Sequence, residues 1–179
     1  MSFVGGGTDL ESYYRHGHGA IVSTTIDKYV YIMIDHYYDK DKIRLSYSRL
    51  EEVTDPDNIK HDIIREAIKL TKTHKGIALI VHSEVPSKGS GLGSSSTFTV
   101  GLLNALYAYQ GKRKSAHDLA EEASRIEIDI LKNPIGKQDQ YAAAFGGFNY
   151  ITFNSDGSVF VDPVVMSKKI KSKLQKNLI

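Results

Sequence analysis

An α+β fold is what this sequence predicts, and three observations lead to it. Strand-like and helix-like stretches are mixed along the chain, which excludes all-helical and all-strand architectures. A β-branched apolar run, Gly76-Ile77-Ala78-Leu79-Ile80-Val81, reads as a buried strand. After an intervening glycine- and serine-rich loop, Phe98, Leu102, Leu103, Ala105, Leu106 and Tyr109 recur at helical spacing. A strand, a tight loop and a helix therefore follow one another.

The other elements are read in chain order. Residues 19–38, rich in Ile, Val, Thr and Tyr, predict one or two strands, and Lys42-Ile43-Arg44-Leu45-Ser46-Tyr47-Ser48 alternates with the period of another. Asp55-Pro56-Asp57-Asn58 marks a turn ahead of a helix carrying Ile59, Ile63, Ile64, Ala67, Ile68 and Leu70. A helix starts near Ser115, which with Asp118 resembles a capping box, and carries Leu119, Ala123, Ile126 and Ile130. Pro134 allows a break before a short Ala-rich helix from Gln138 to Phe145, which Gly146-Gly147 ends. Residues 148–153 and 159–161 flank Asn154-Ser155-Asp156-Gly157 as a hairpin.

At 179 residues and 41% hydrophobic, the chain suits one domain with a core of its own. It has no cysteine, which excludes disulfides and thiolate metal sites. No basic-then-apolar leader opens it and no apolar run nears the roughly 20 residues of a membrane span, so a cytoplasmic protein away from the membrane is expected. A net charge of +2 is too mild for nucleic-acid binding. The lysines gather at Lys112-Arg113-Lys114 and at Lys168, Lys169, Lys171 and Lys173, without the interleaved aromatics of a nucleic-acid surface. None of the seven histidines stands at metal-ligand spacing.

The loop carries the chemistry. Pro86-Ser87-Lys88-Gly89-Ser90-Gly91-Leu92-Gly93-Ser94-Ser95-Ser96 puts glycines before the first turn of a helix, where backbone N–H groups and the helix dipole favour an anion. Glycine admits close approach of phosphate, and a serine hydroxyl can reach a magnesium ion. The loop lacks the Gly-Lys-Ser/Thr ending of Walker A and the third glycine of a dinucleotide fingerprint. A Gly/Ser stretch by itself is also compatible with a flexible linker, but the strand before it and the helix after it favour a nucleotide cradle.

Residues 86–96 resemble the second signature of the GHMP kinases. Further segments, Ser2 to Asp9, Gly19 to Tyr29 and Ile135 to Gly147, look like the branch of that superfamily containing heptose 7-phosphate kinase. The resemblance implies a ribosomal-protein-S5-domain-2-like N-terminal domain over residues 1–165, with a basic tail over 166–179 opening a further domain. It implies ATP and Mg2+, a small-molecule sugar phosphate as acceptor, and phosphorylation of the anomeric O1 in nucleotide-activated heptose synthesis for surface polysaccharide. A fucokinase-like sugar 1-kinase, or a non-catalytic nucleotide- or sugar-binding fragment, is the alternative.

Carried over residue by residue, the resemblance makes Asp139 the group that takes or orients the acceptor proton, and Glu127 with Ser95 the magnesium ligands. Gly7, Thr8 and Asp9 would meet the sugar, and Lys137 a substrate phosphate. On the residues alone, Glu127 and Asp129 also fit a solvated helix face, Asp139 a helix cap and Asp9 an Asx turn. Two departures stand out: the family's arginine would fall just before Met1, and no third glycine-rich signature follows. The expectation is the N-terminal part of a kinase, missing its C-terminal domain and weakly active or inactive by itself.

Overall fold

The computed structural model describes residues 1–85 and 91–177, and the expectations placed on Pro86, Ser87, Lys88, Gly89 and Ser90 lie outside them. Among the described residues eight strands form two sheets. The first joins β1 (Ser2–Val4), β2 (His18–Thr24), β7 (Phe148–Asn154) and β8 (Val159–Pro163) in the order β1-β2-β7-β8, all antiparallel. The second joins β3 (Val30–His36), β6 (Ile77–Ser83), β4 (Ile43–Ser46) and β5 (Leu50–Val53) in the order β3-β6-β4-β5. There β4 and β6 run parallel, with Leu45 opposite Leu79.

Among the described residues there are six α-helices, of which the first five pack with these sheets: α1 (Glu11–Tyr14), α2 (Asp62–Thr71), α3 (Ser94–Tyr109), α4 (Ala116–Ser124), α5 (Gln138–Phe145) and α6 (Lys168–Lys176). Two hydrophobic clusters result. The larger packs Ile43, Leu45, Ile77 and Leu79 of the second sheet against Ile64, Ala67 and Ile68 of α2 and Leu102, Leu103 and Leu106 of α3. The smaller packs Ile21, Ile151, Phe153 and Val159 of the first sheet against Tyr141 of α5, Ala120 of α4 and Tyr14 of α1. Because α3 touches β3, α2, α4 and α5, and α5 lies on the first sheet, the seam between the clusters runs between α3 and α5. The polar residues of interest sit at that seam.

The predicted strands and helices recur with shifts that have local causes. Asp55 accepts the Asp57 amide and caps a 3-10 turn over Pro56–Asn58, so α2 starts only at Asp62 and Ile59 is buried just ahead of it. Ser115 and Asp118 form a reciprocal capping box, and α4 follows it. The helix expected to run on to Ile130 instead widens at Arg125–Ile130 into a π-helical turn, with the Leu131 amide bonded to the Ile126 carbonyl. β1, β5 and α1 are too short or too exposed to leave a periodic trace in the sequence. The lysine-rich tail forms α6, capped by Ser167 and with no buried residue.

Candidate functional site

Gly93 adopts a left-handed φ of +65° and hands the chain into α3, whose first turn is Ser94, Ser95 and Ser96. A helix start there points backbone N–H groups and the positive end of the dipole toward the loop. Ser96 is buried and Ser95 is exposed, so the hydroxyl of Ser95 is the one that can face both the protein and a ligand.

Below that turn lies Glu127, fully buried on the π-helical turn. The wider turn brings two neighbours, Ile126 and Glu127, inward together, which a solvated helix face would not do. The Ser95 hydroxyl donates to Glu127 Oε1 at 2.6 Å, and Gln140 Nε2 donates to Oε2 at 2.7 Å. Both carboxylate oxygens are thus engaged, as a buried carboxylate requires. Sequence reasoning had joined Ser95 to Glu127 but missed Gln140; its one signal was a polar side chain inside an Ala-rich helix.

Asp139 stands in the first turn of α5, where its carboxylate lies directly against Gly93. A Cβ added at Gly93 would sit 2.9 Å from Asp139 Cγ, so only glycine leaves the carboxylate in this place. The side chain reaches solvent at the mouth of two adjoining clefts that share Gly93, Ser94 and Asp139. One, of about 330 Å3, is lined by Ser95, Ser96, Glu127 and the Asn133-Pro134-Ile135 bend. The other, of about 440 Å3, is lined by Thr24, Thr25, Lys28, Tyr29, Thr97 and Asn104 among others. The surrounding walls exclude water and push the Asp139 carboxyl above its ordinary range; the charge of Asp9 and then that of Glu127 add to this, while the Met1 ammonium opposes it.

Of the four residues expected to meet substrate, Thr8, Asp9 and Lys137 bond to other parts of the chain. Asp9 does not project from its bend; it is 1% exposed, and its Oδ2 accepts the Gln138 backbone amide at 3.0 Å, capping α5 from a distant segment. The chain at Gly136 passes so close that a Cβ there would fall 1.9 Å from Asp9 Oδ2. The Thr8 hydroxyl donates to the carbonyls of Gly5 and Ala20 and accepts the Ala20 amide, tying its loop to β2. Lys137 turns to the β7–β8 hairpin, donating to the Gly157 carbonyl at 3.1 Å with its ammonium 5.5 Å from the Tyr14 ring centre. Gly7, Thr8, Asp9 and Lys137 line neither cleft. Asp9 supplies the acceptor that the start of α5 needs, whereas Thr8 ties its loop to β2 and Lys137 ties the start of α5 to the β7–β8 hairpin.

The site is therefore an anion-favouring helix start, a buried carboxylate beneath it and a second carboxylate at its side whose proton affinity is raised above its ordinary range. Residues 61–147 match the family model for the GHMP kinases N terminal domain. The chain carries this GHMP kinase N-terminal domain and its α+β fold. It is 33% identical over 186 residues to a D-glycero-alpha-D-manno-heptose 7-phosphate kinase of Campylobacter jejuni, a match covering 98% of this chain and 55% of that protein. A mevalonate kinase of Methanothermobacter thermautotrophicus is 32% identical over 90 residues, 50% of this chain and 29% of that protein. Among solved structures, a D-glycero-D-manno-heptose 1-phosphate kinase from Bacteroides thetaiotaomicron superposes with a TM-score of 0.88 at 30% identity, covering 97% of this chain and 60% of that one. The chain thus spans little more than half the length of its heptose kinase relatives.

Proposed function

We propose that this domain supplies the nucleotide cradle and the proton acceptor of an ATP-dependent sugar kinase acting on D-glycero-D-manno-heptose 7-phosphate at O1. The observation that carries the reading is the Asp139 carboxylate packed on Gly93 at the junction of two clefts, one of them at the helix start and the other wide enough for a sugar. The names of the two heptose kinase relatives favour a heptose phosphate over the other sugars of the family.

Phosphoryl transfer is chiefly positioning and charge neutralisation. In this reading the N-terminus of α3 faces the ATP phosphates, and Asp139 receives the proton of the sugar hydroxyl as its oxygen bonds to phosphorus and ADP leaves. The raised affinity of Asp139 for a proton suits it to that task. Ser95 and Glu127 are the residues that would hold Mg2+, which would offset the negative charge of the phosphate oxygens. They fit that ion: Mg2+ prefers oxygen ligands and is commonly held by one or two carboxylates plus phosphate and water. Among the described residues no group of three or more His, Asp or Glu could hold a metal alone, so phosphate and water oxygens would have to complete the shell. The loop of Gly7, Thr8 and Asp9, together with Lys137, would shape the acceptor side through α5 rather than by contact with the sugar.

The test is sugar-dependent ADP release across heptose 7-phosphate, fucose and galactose by a longer kinase that contains this domain, with Asp139→Asn beside its parent. Turnover with heptose 7-phosphate that falls by about 10²–10⁴-fold in the variant is expected. Turnover with fucose instead would move the assignment to another sugar 1-kinase. Nucleotide binding without turnover on any sugar would leave a binding module.

A further inference from the structure

Gln140 is the buried group that the reading above leaves without a task. It is completely buried, on the same helix as Asp139 and one residue beyond it, yet it points into the protein toward Glu127. Its Nε2 donates to Glu127 Oε2 at 2.7 Å, while its own Oε1 is buried with no hydrogen-bond partner. That arrangement is costly. A buried acceptor left without a donor forgoes about 1–3 kcal/mol. Turning the amide over would not remove the cost, because the oxygen would then face a carboxylate oxygen. The side chain therefore holds one orientation, and among the described residues its hydrogen bond is with Glu127.

The geometry around Glu127 shows what this contact does. Ser95 occupies Oε1 from the cradle side, so the donor on Oε2 decides how the carboxylate plane is rotated beneath the cleft. Among the described residues no cation bonds to Glu127: its two oxygens accept from a hydroxyl and an amide, both neutral. Neutral donors orient a carboxylate without cancelling its charge, which leaves that charge available to an ion in the cleft. A lysine or arginine at position 140 would pair with the carboxylate and compete with the ion. A leucine would leave Oε2 buried without a donor.

We propose that Gln140 is a positioning residue that sets the orientation of Glu127 for a divalent cation shared with Ser95. The inference rests on the reading of Ser95 and Glu127 as the magnesium-holding pair. It also makes α5 a two-sided element, presenting Asp139 to the cleft and steadying the metal carboxylate from behind.

The test is Mn2+ binding to the chain, followed by electron paramagnetic resonance in the presence of a non-hydrolysable ATP analogue. Four proteins are compared: the parent sequence, Glu127→Gln, Gln140→Leu and Gln140→Met. Loss of an orienting partner commonly weakens metal affinity about 10–100-fold, and that loss is expected in both Gln140 variants. Metal-free binding of the analogue by Gln140→Met should stay near that of the parent, and its thermal midpoint should fall only by the modest cost of one carboxylate oxygen left without a donor. Gln140→Met keeps the length and volume of the side chain without its donor, so a folding failure of Gln140→Leu would leave the question with this variant. Mn2+ affinity within twofold of the parent in Gln140→Met, with Glu127→Gln losing the ion, overturns the proposal and spares the metal site. Parent-like Mn2+ binding by Glu127→Gln overturns the metal assignment itself and the proposal with it. Parallel loss of metal-free nucleotide binding and thermal stability in both Gln140 variants would make the residue a packing element and overturn the proposal as well.

Discussion

The π-helical turn at Arg125–Ile130 and the first turn of α5 each present a carboxylate to the same cleft, and they treat it in opposite ways. Glu127 is sealed in, with a donor on each oxygen. Asp139 reaches solvent, stands against a glycine, and is held above its usual proton affinity by exclusion of water and by like charges. Two carboxylates 12 positions apart in the chain (139 − 127) are thereby given different chemistry by their surroundings alone. A carboxylate with a donor on each oxygen is fixed in place. A carboxylate in a partly dry cleft with carboxylate neighbours gains a proton more readily and can act as a base.

The sharpest way to break this contrast is to delete each carboxylate in turn. Glu127→Ala strands the Ser95 hydroxyl and the buried Gln140 amide, and is expected to cost about 2–4 kcal/mol in urea unfolding. Asp139→Ala should stay within about 0.5 kcal/mol of the parent, as an exposed side chain without an essential partner does. Comparable losses in the two variants would show that the environments are not distinct.

A smaller effect is expected at the glycine beside Asp139. Gly93→Ala forces a side chain into a left-handed conformation, at about 1 kcal/mol, and pushes the Asp139 carboxylate aside. The stability loss should therefore come with a changed Asp139 titration, followed by carboxyl-carbon NMR. An unchanged titration would mean that the carboxylate does not rest on Gly93.

Asp9→Asn sharpens the comparison further. The asparagine oxygen can still accept the Gln138 amide, so α5 keeps its cap while a like charge next to Asp139 disappears. The Asp139 titration is expected to move down toward the ordinary carboxylate range. No movement would remove Asp9 from the causes of the shift.

The smallest effect is the pH dependence of stability due to Asp139. Its affinity for protons is higher folded than unfolded, so its contribution is fully present below the unfolded value and is lost as pH rises through the folded one. Asp139→Asn removes that loss. The variant should be slightly more stable than the parent above the carboxylate range, and the gain should vanish on acidification below it. A gain that grew on acidification would mean a lowered, not raised, Asp139.

The course of the chain was largely legible before any coordinates, because the periods of burial are written into it. Ile43 and Leu45 alternate with exposed neighbours, Ile63, Ile64, Ala67 and Ile68 keep to one face of a helix, and Ser115 with Asp118 announces the start of α4. The pairing of Ser95 with Glu127 and the nearness of Asp139 to the start of α3 came from motif resemblance, since residues 95, 127 and 139 share no local period. The bonds that Asp9, Thr8 and Lys137 make within the chain were not legible, because polar residues beside glycines look alike whether they face a ligand or hold the chain. Asp9 and Gln138 lie 129 positions apart, beyond the reach of any local pattern.

The sequence by itself determined the α+β class, the order of the main elements and the presence of a phosphate-favouring helix start, because each depends on neighbours within a few residues. Only the tertiary structure decided which carboxylate is sealed and which is open, which side chain caps α5, and that Gln140 stands behind Glu127. Those outcomes depend on burial and on partners from distant segments. The free energy of a charge is set by the water and donors around it, and these take their places only when α3, the π-helical turn and α5 close on one another.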